Sequence, residues 1–76
     1  MKVFIFVNTE WGAEKDVFHK LQKIPEIKEC FMLYGQFDII ITLEVQNRAE
    51  ISKFRNEKIR TISGIHSTMT METLGK

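Results

Sequence analysis

Cross-links and long apolar runs are both scarce in this sequence. Cys30 is the only cysteine among 76 residues, so an intramolecular disulfide is excluded. The N-terminal apolar run, Val3-Phe4-Ile5-Phe6-Val7, is five residues long, shorter than the roughly 7 to 15 of a signal-peptide core and far from the roughly 20 of a membrane span. It reads as a strand, and the chain as a cytoplasmic one with no membrane partner. Neither sign of charge dominates: 11 basic and 10 acidic residues leave a net charge of +1. That offers no cationic face to a phosphate backbone and argues against nucleic acid. His19 and His66 lie 47 positions apart with no cysteine or carboxylate at zinc-like spacing, so no metal is expected. No cofactor is expected either. Residues 1–76 have room for one small domain, which buries only roughly 60% of its unfolded surface. With no disulfide or metal to help, association with other subunits is the remaining route to stability.

What is present divides cleanly into elements. Val3 to Val7 is a strand apolar on both faces, with Val3, Ile5 and Val7 on one and Phe4 and Phe6 on the other. After a loop at Asn8 to Gly12, Ala13, Val17, Leu21 and Ile24 recur at helical spacing, flanked by Phe18, until Pro25 ends the helix. Ile27 to Tyr34 reads as a second strand, with Cys30, Met32 and Tyr34 opposite Ile27, Phe31 and Leu33. Gly35 supplies a turn, and Phe37 to Val45, rich in β-branched and aromatic residues, is a third strand. Asn47-Arg48-Ala49-Glu50 has capping-box spacing ahead of a helix striped by Ile51, Phe54, the stem of Lys58, Ile59 and Ile62. Gly64 closes that helix, and Ile65 to Leu74 forms a fourth strand bearing Thr68, Thr70 and Thr73.

The two halves repeat at a constant offset of 38 residues, which relates Ile5 to Leu43, Val7 to Val45, Leu21 to Ile59, Ile24 to Ile62 and Ile27 to Ile65. Each half is strand, helix, strand. Right-handed crossovers interleave them into one four-stranded antiparallel sheet with both helices on one face, an α+β ferredoxin-like βαββαβ fold. The other face then carries Phe4, Phe6, Cys30, Met32, Ile40 and parts of Tyr34 and Thr42. A soluble monomer rarely exposes an apolar patch of more than a few hundred Å². Dimerisation through the sheets, as in a dimeric α+β barrel, is the expected outcome.

The opening strand, Leu21-Gln22-Lys23-Ile24-Pro25-Glu26-Ile27, Tyr34-Gly35-Gln36-Phe37-Asp38-Ile39 and Ile62-Ser63-Gly64-Ile65-His66-Ser67-Thr68-Met69-Thr70 together resemble the ligand-binding RAM domain of Lrp/AsnC transcription regulators. The resemblance covers nearly the whole chain. With the first strand beginning within three residues of Met1, it is to the stand-alone form without a DNA-binding domain, so no direct DNA binding is expected. It implies dimers through the open sheet faces, rings such as octamers or decamers, a small amino-acid effector between subunits, and a full-length regulator of the same type as a possible partner. It also implies that Tyr34, Gly35, Gln36, Phe37 and Asp38 form one wall of the effector pocket, with Thr68 and Thr70 supplied by a neighbouring subunit.

The chemistry of those residues suits an amino acid: Asp38 can accept from the ammonium, while turn N–H groups and threonine hydroxyls can donate to the carboxylate. Each also has a structural reading. Asp38 can close an Asx turn on its own backbone, Tyr34 and Phe37 can be core or interface aromatics, and Thr68 and Thr70 are good strand formers. Cys30 reads as a small buried hydrophobe, and Trp11 as either an assembly anchor or a cover for the core's edge. The alternative function is a cofactor-free oxygenase or isomerase of the dimeric α+β barrel type, with Tyr34 and His66 as its acid and base candidates. RNA stacking on Phe4 and Phe6 is a third reading.

Overall fold

The structure is a computed structural model and describes residues 1–75. In chain order the elements are β1 (Lys2–Thr9), α1 (Glu14–Gln22), β2 (Ile27–Met32), β3 (Ile39–Glu44), α2 (Arg48–Phe54), a π-helical turn over Arg55–Ile59, and β4 (Ile65–Glu72). The strands order as β2-β3-β1-β4, with every neighbouring pair antiparallel. This is the interleaved βαββαβ sheet that the repeat requires.

One face of the sheet is the core. Val3, Ile5 and Val7 of β1 pair with Leu43, Ile41 and Ile39 of β3, and all six are sealed from solvent beneath Val17 and Leu21 of α1 and Ile51 and Phe54 of α2. The helices are held at their ends by backbone chemistry. In α1, the N–H groups of Lys23 and Ile24 donate to the carbonyls of Lys20 and Leu21, tightening the last turn before Pro25. At α2 the Asn47 side chain accepts from the Glu50 N–H at 3.1 Å, and the Glu50 carboxylate reaches back to the N–H of Gln46 at 3.0 Å. The capping box thus closes one residue earlier than its usual form.

Two features depart from simple periodicity. The helix after Phe54 widens into a π turn, in which the Arg60 N–H donates to the Arg55 carbonyl at 3.0 Å. An α-helical continuation would have turned Lys58 toward the sheet four residues after Phe54. The wider turn puts Ile59 there instead, 4% exposed, and Lys58 swings out to meet Glu26 at 3.8 Å. The second departure is in β2. Ile27 pairs with Leu43, but Glu29 pairs with Thr42, so Lys28 is an extra residue in the strand. One inserted residue reverses every later side chain.

That bulge corrects the assignment of the open face. Cys30 pairs with Ile41 and Met32 with Ile39, both core positions. Cys30 therefore packs against the core and Met32 lies at the sheet's edge on the helix side, not on the open face. Glu29 and Phe31 take their places on the outside. The strand also ends at Met32 rather than Tyr34. On the far edge, Met69 and Met71 pair with Phe6 and Phe4. The open face is thus Phe4, Phe6, Phe31, Ile40, Met69 and Met71, with Thr42 among them.

The molecule exposes 5342 Å², whereas a folded monomer of 9.0 kDa is expected to expose about 4,900 Å². Phe31, Met69 and Met71 of the open face contribute to the excess, as do the projecting Trp11, Tyr34 and Leu74. Trp11 is fully exposed and does not cover the core's edge.

Candidate functional site

The turn between β2 and β3 is pinned at its base and free at its tip. The Leu33 N–H donates to the Asp38 carbonyl at 2.8 Å, and the Asp38 N–H donates to the Val7 carbonyl at 3.0 Å. Residues 34–37 therefore project beyond the sheet. Tyr34 and Gln36 stand in solvent, and Gly35 has a positive φ of 157°. Phe37 folds back onto the open face, its ring centroid 5.2 Å from that of Phe6.

Asp38 does not close an Asx turn. Its Oδ2 accepts from the Thr9 N–H at 2.8 Å and from the Thr9 hydroxyl at 3.1 Å. Two bonds from one residue fix the carboxylate against the end of β1, half-buried. They fall on the same oxygen, and Oδ1 accepts no hydrogen bond among the described residues. Thr9 is the neighbour of Asp38 that sequence reading missed, because Asn8 and Thr9 were assigned to a loop. The antiparallel pairing of Val7 with Ile39 explains the contact: it carries the residues after Val7 and the residue before Ile39 to the same end of the sheet.

The structure brings residues 34–38 together but leaves Thr68 and Thr70 elsewhere. Thr68 pairs with Val7 and Thr70 with Ile5, so both lie on β4, across β1 from the turn, and on the helix side of the sheet. Within one chain they do not join Asp38. Of the interface candidates, Phe4, Phe6, Ile40 and Thr42 lie on the open face. Lys2 Nζ sits 5.3 Å over the Phe4 ring, and the Thr42 hydroxyl, itself buried, donates to Glu29 Oε1 at 3.3 Å. Phe31, Met69 and Met71, each 40 to 54% exposed, belong to the same patch.

The remaining reactive groups are quieter. His66 is exposed, with Nδ1 3.5 Å from Glu10 Oε2. Among the described residues no group of three or more His, Cys, Asp or Glu side chains is placed to hold a metal ion. Burial pushes the Cys30 thiol up from its ordinary pKa. Since the thiolate is the nucleophile, alkylation of Cys30 by iodoacetamide is expected to lag that of free cysteine at neutral pH. It should accelerate only above the usual thiol range of about 8.5. A rate equal to that of free cysteine across pH 7 to 9, roughly the span bracketing that value, would contradict the burial.

Two clefts indent the helix side. One, of about 260 Å³, has Leu43, Val45 and Phe54 as its floor and glutamates and lysines as its rim. The second, also about 260 Å³, lies between the π turn and β4 and includes Arg55, Arg60 and Thr68. Neither includes the 34–38 turn.

A family model described as the Lrp/AsnC ligand binding domain matches residues 2–75. The HTH-type transcriptional regulator FL11 of Pyrococcus horikoshii is 32% identical over 74 residues, which is 97% of this chain and 48% of that protein. The chain thus spans about half the length of the curated relatives it matches. The crystal structure of hypothetical protein PHS023 from Pyrococcus horikoshii is 35% identical, with a TM-score of 0.86 over 99% of this chain and 90% of that one. Transcriptional regulator NMB0573 of Neisseria meningitidis, solved as an L-Met complex, shares the fold at 22% identity, with a TM-score of 0.87 over 99% of this chain and 50% of that one.

Proposed function

Because the chain belongs to the Lrp/AsnC ligand-binding domain family, we propose that it dimerises through its open sheet faces and binds a small amino acid between subunits of neighbouring dimers. The observation that carries this reading is the anchored carboxylate of Asp38 at the base of an exposed turn, beside an uncovered apolar face. Thr9 holds Oδ2, so Oδ1 accepts from the ligand ammonium, and the N–H groups of the turn donate to its carboxylate. Thr68 and Thr70 reach this site only from a neighbouring subunit, which makes the pocket a property of the assembly. The relative bound to L-methionine supports an amino acid as the ligand class.

Dimers formed through the open face would associate further into rings such as octamers or decamers. A ligand held by two subunits binds the assembled form alone and stabilises it by mass action. The ring would act through a partner, for which a full-length regulator of the same family is the first candidate, in the cytoplasm. Among the described residues no helix is long and apolar enough to cross a membrane.

The geometry favours binding over catalysis. Apolar side chains fill the space beneath the helices, and Tyr34 and His66 lie at opposite edges of the sheet.

Calorimetric titration against the amino acids, L-methionine first, tests the reading, with size-exclusion chromatography alongside. Affinities of roughly micromolar to millimolar are expected for so small a ligand. Asp38→Asn keeps an acceptor for Thr9 but removes the charge, and should weaken binding by roughly 10- to 100-fold, the worth of one charged hydrogen bond. No binding by wild type, or unaltered binding by Asp38→Asn, would overturn it.

A further inference from the structure

The cleft between the π turn and β4 has the chemistry of an anion site. In an α-helix, residues five apart point about 140° away from each other. The i to i−5 bond from Arg60 to Arg55 closes one wide turn and returns both arginines to the same side, where both line the cleft. Neither forms an ion pair among the described residues. No carboxylate lines the cleft; His66 lines it, with its Nδ1 3.5 Å from Glu10 Oε2, and Thr68, on the helix side of β4, adds a hydroxyl donor. The floor is aliphatic, from Ile59, Ile62 and Ile65. Two permanent cations thus line one cleft above an apolar floor. Guanidinium forks match carboxylate geometry in pairs of parallel bonds.

We propose that this cleft binds a small aliphatic carboxylate, its head held by Arg55, Arg60 and the Thr68 hydroxyl and its hydrocarbon body on the isoleucines. The volume of about 260 Å³ suits a ligand of amino-acid size, since a water molecule claims about 30 Å³. The site is complete within one subunit, shares only Thr68 with the proposed effector pocket, and does not rest on that pocket. It also gives the π turn a purpose beyond packing Ile59.

Titration of the ¹⁵N-labelled protein with isovalerate tests this, because isovalerate has no ammonium and makes no demand on Asp38. Saturable shifts are expected at the Nε–H groups of Arg55 and Arg60 and at the amides of Ser67 and Thr68. The double variant Arg55→Gln, Arg60→Gln should bind at least roughly 10-fold more weakly, with the rest of its spectrum unchanged. Isovaleramide, the neutral counterpart, should bind wild type at least roughly 10-fold more weakly as well, a test that needs no variant to fold. Inorganic phosphate, which has no hydrocarbon, should bind more weakly than isovalerate. The assignment fails if no saturable shift reaches these groups at tens of millimolar isovalerate, or if the amide or phosphate binds as tightly as the acid.

Discussion

Replacing Gly64 by alanine is expected to destabilise the protein by about 2–4 kcal/mol, which in a domain of this size lowers the melting temperature by roughly 10–25 °C. Gly64 has φ of +99°, and a Cβ added there would sit 3.0 Å from Val17 Cγ2 and 3.1 Å from Ala13 Cβ. The left-handed backbone costs a side chain about 1–2 kcal/mol, less the fraction of a kcal/mol that alanine returns by stiffening the unfolded chain. Crowding at 3.0 Å adds about 1–3 kcal/mol. The neighbours are poorly able to give. The Gly64 carbonyl accepts from the Glu10 N–H at 2.7 Å, the Glu10 carbonyl from the Ala13 N–H at 2.9 Å, and the Ala13 carbonyl from the Val17 N–H at 3.0 Å. A single chain of hydrogen bonds thus ties together the residues that would have to move apart. Gly12→Ala is the control: its φ is +86° but nothing lies within 4 Å of the added Cβ, so only the backbone cost of about 1 kcal/mol remains. Thermal unfolding followed by circular dichroism reads both. If Val17→Ala relieves part of the Gly64→Ala penalty in a double-mutant cycle, the clash is located. Equal melting temperatures for Gly64→Ala and Gly12→Ala would refute the packing argument.

Placing one carboxylate at the centre of the open face, as Phe6→Asp, is expected to turn the assembly into monomers. Phe6 pairs with Ile40 on one side and Met69 on the other, so any partner covering the face buries this position. A buried unpaired carboxylate costs several kcal/mol, and each 1.4 kcal/mol is tenfold, so the dimer dissociation constant should rise by roughly 100-fold or more. In the monomer the same carboxylate stays hydrated, and folding loses the ring contact with Phe37 and the cross-strand contacts with Ile40 and Met69, about 1–3 kcal/mol. Met69→Asp, at an already exposed position, disturbs the fold still less and should act in the same direction. Sedimentation velocity reads the mass, and circular dichroism confirms the fold. A monomeric wild type, or oligomers that survive both substitutions, would remove assembly through this face.

The fold was legible because the chain says it twice. Two copies of strand, helix and strand at a fixed offset, each with apolar residues at the matching period, leave few ways to bury both helices. The candidate turn was legible for the same local reason: Gly35 and the aromatic residues around Asp38 mark a hairpin wherever the strands sit. What Asp38 touches was not legible. Thr9 is 29 residues away in sequence, and only strand pairing brings the two together. The open face was read half correctly. Phe4, Phe6, Ile40 and Thr42 followed from alternation, whereas Cys30 and Met32 were misassigned because Lys28 interrupts that alternation without any residue that marks a bulge.

By itself the sequence determined the element order, the sheet and the existence of a second apolar face, since these depend on periodicity and on a repeat internal to the chain. Tertiary structure alone decided which side chains occupy that face, where the Asp38 carboxylate is anchored, and how Arg55 and Arg60 come to share one cleft. The Asp38 anchor depends on the register of β1 against β3, and the other two on a shift of a single residue, a bulge in β2 or a π turn after α2. Such shifts are set by what packs against the element, because the backbone of a strand or helix accommodates one extra residue whenever the core gains by it.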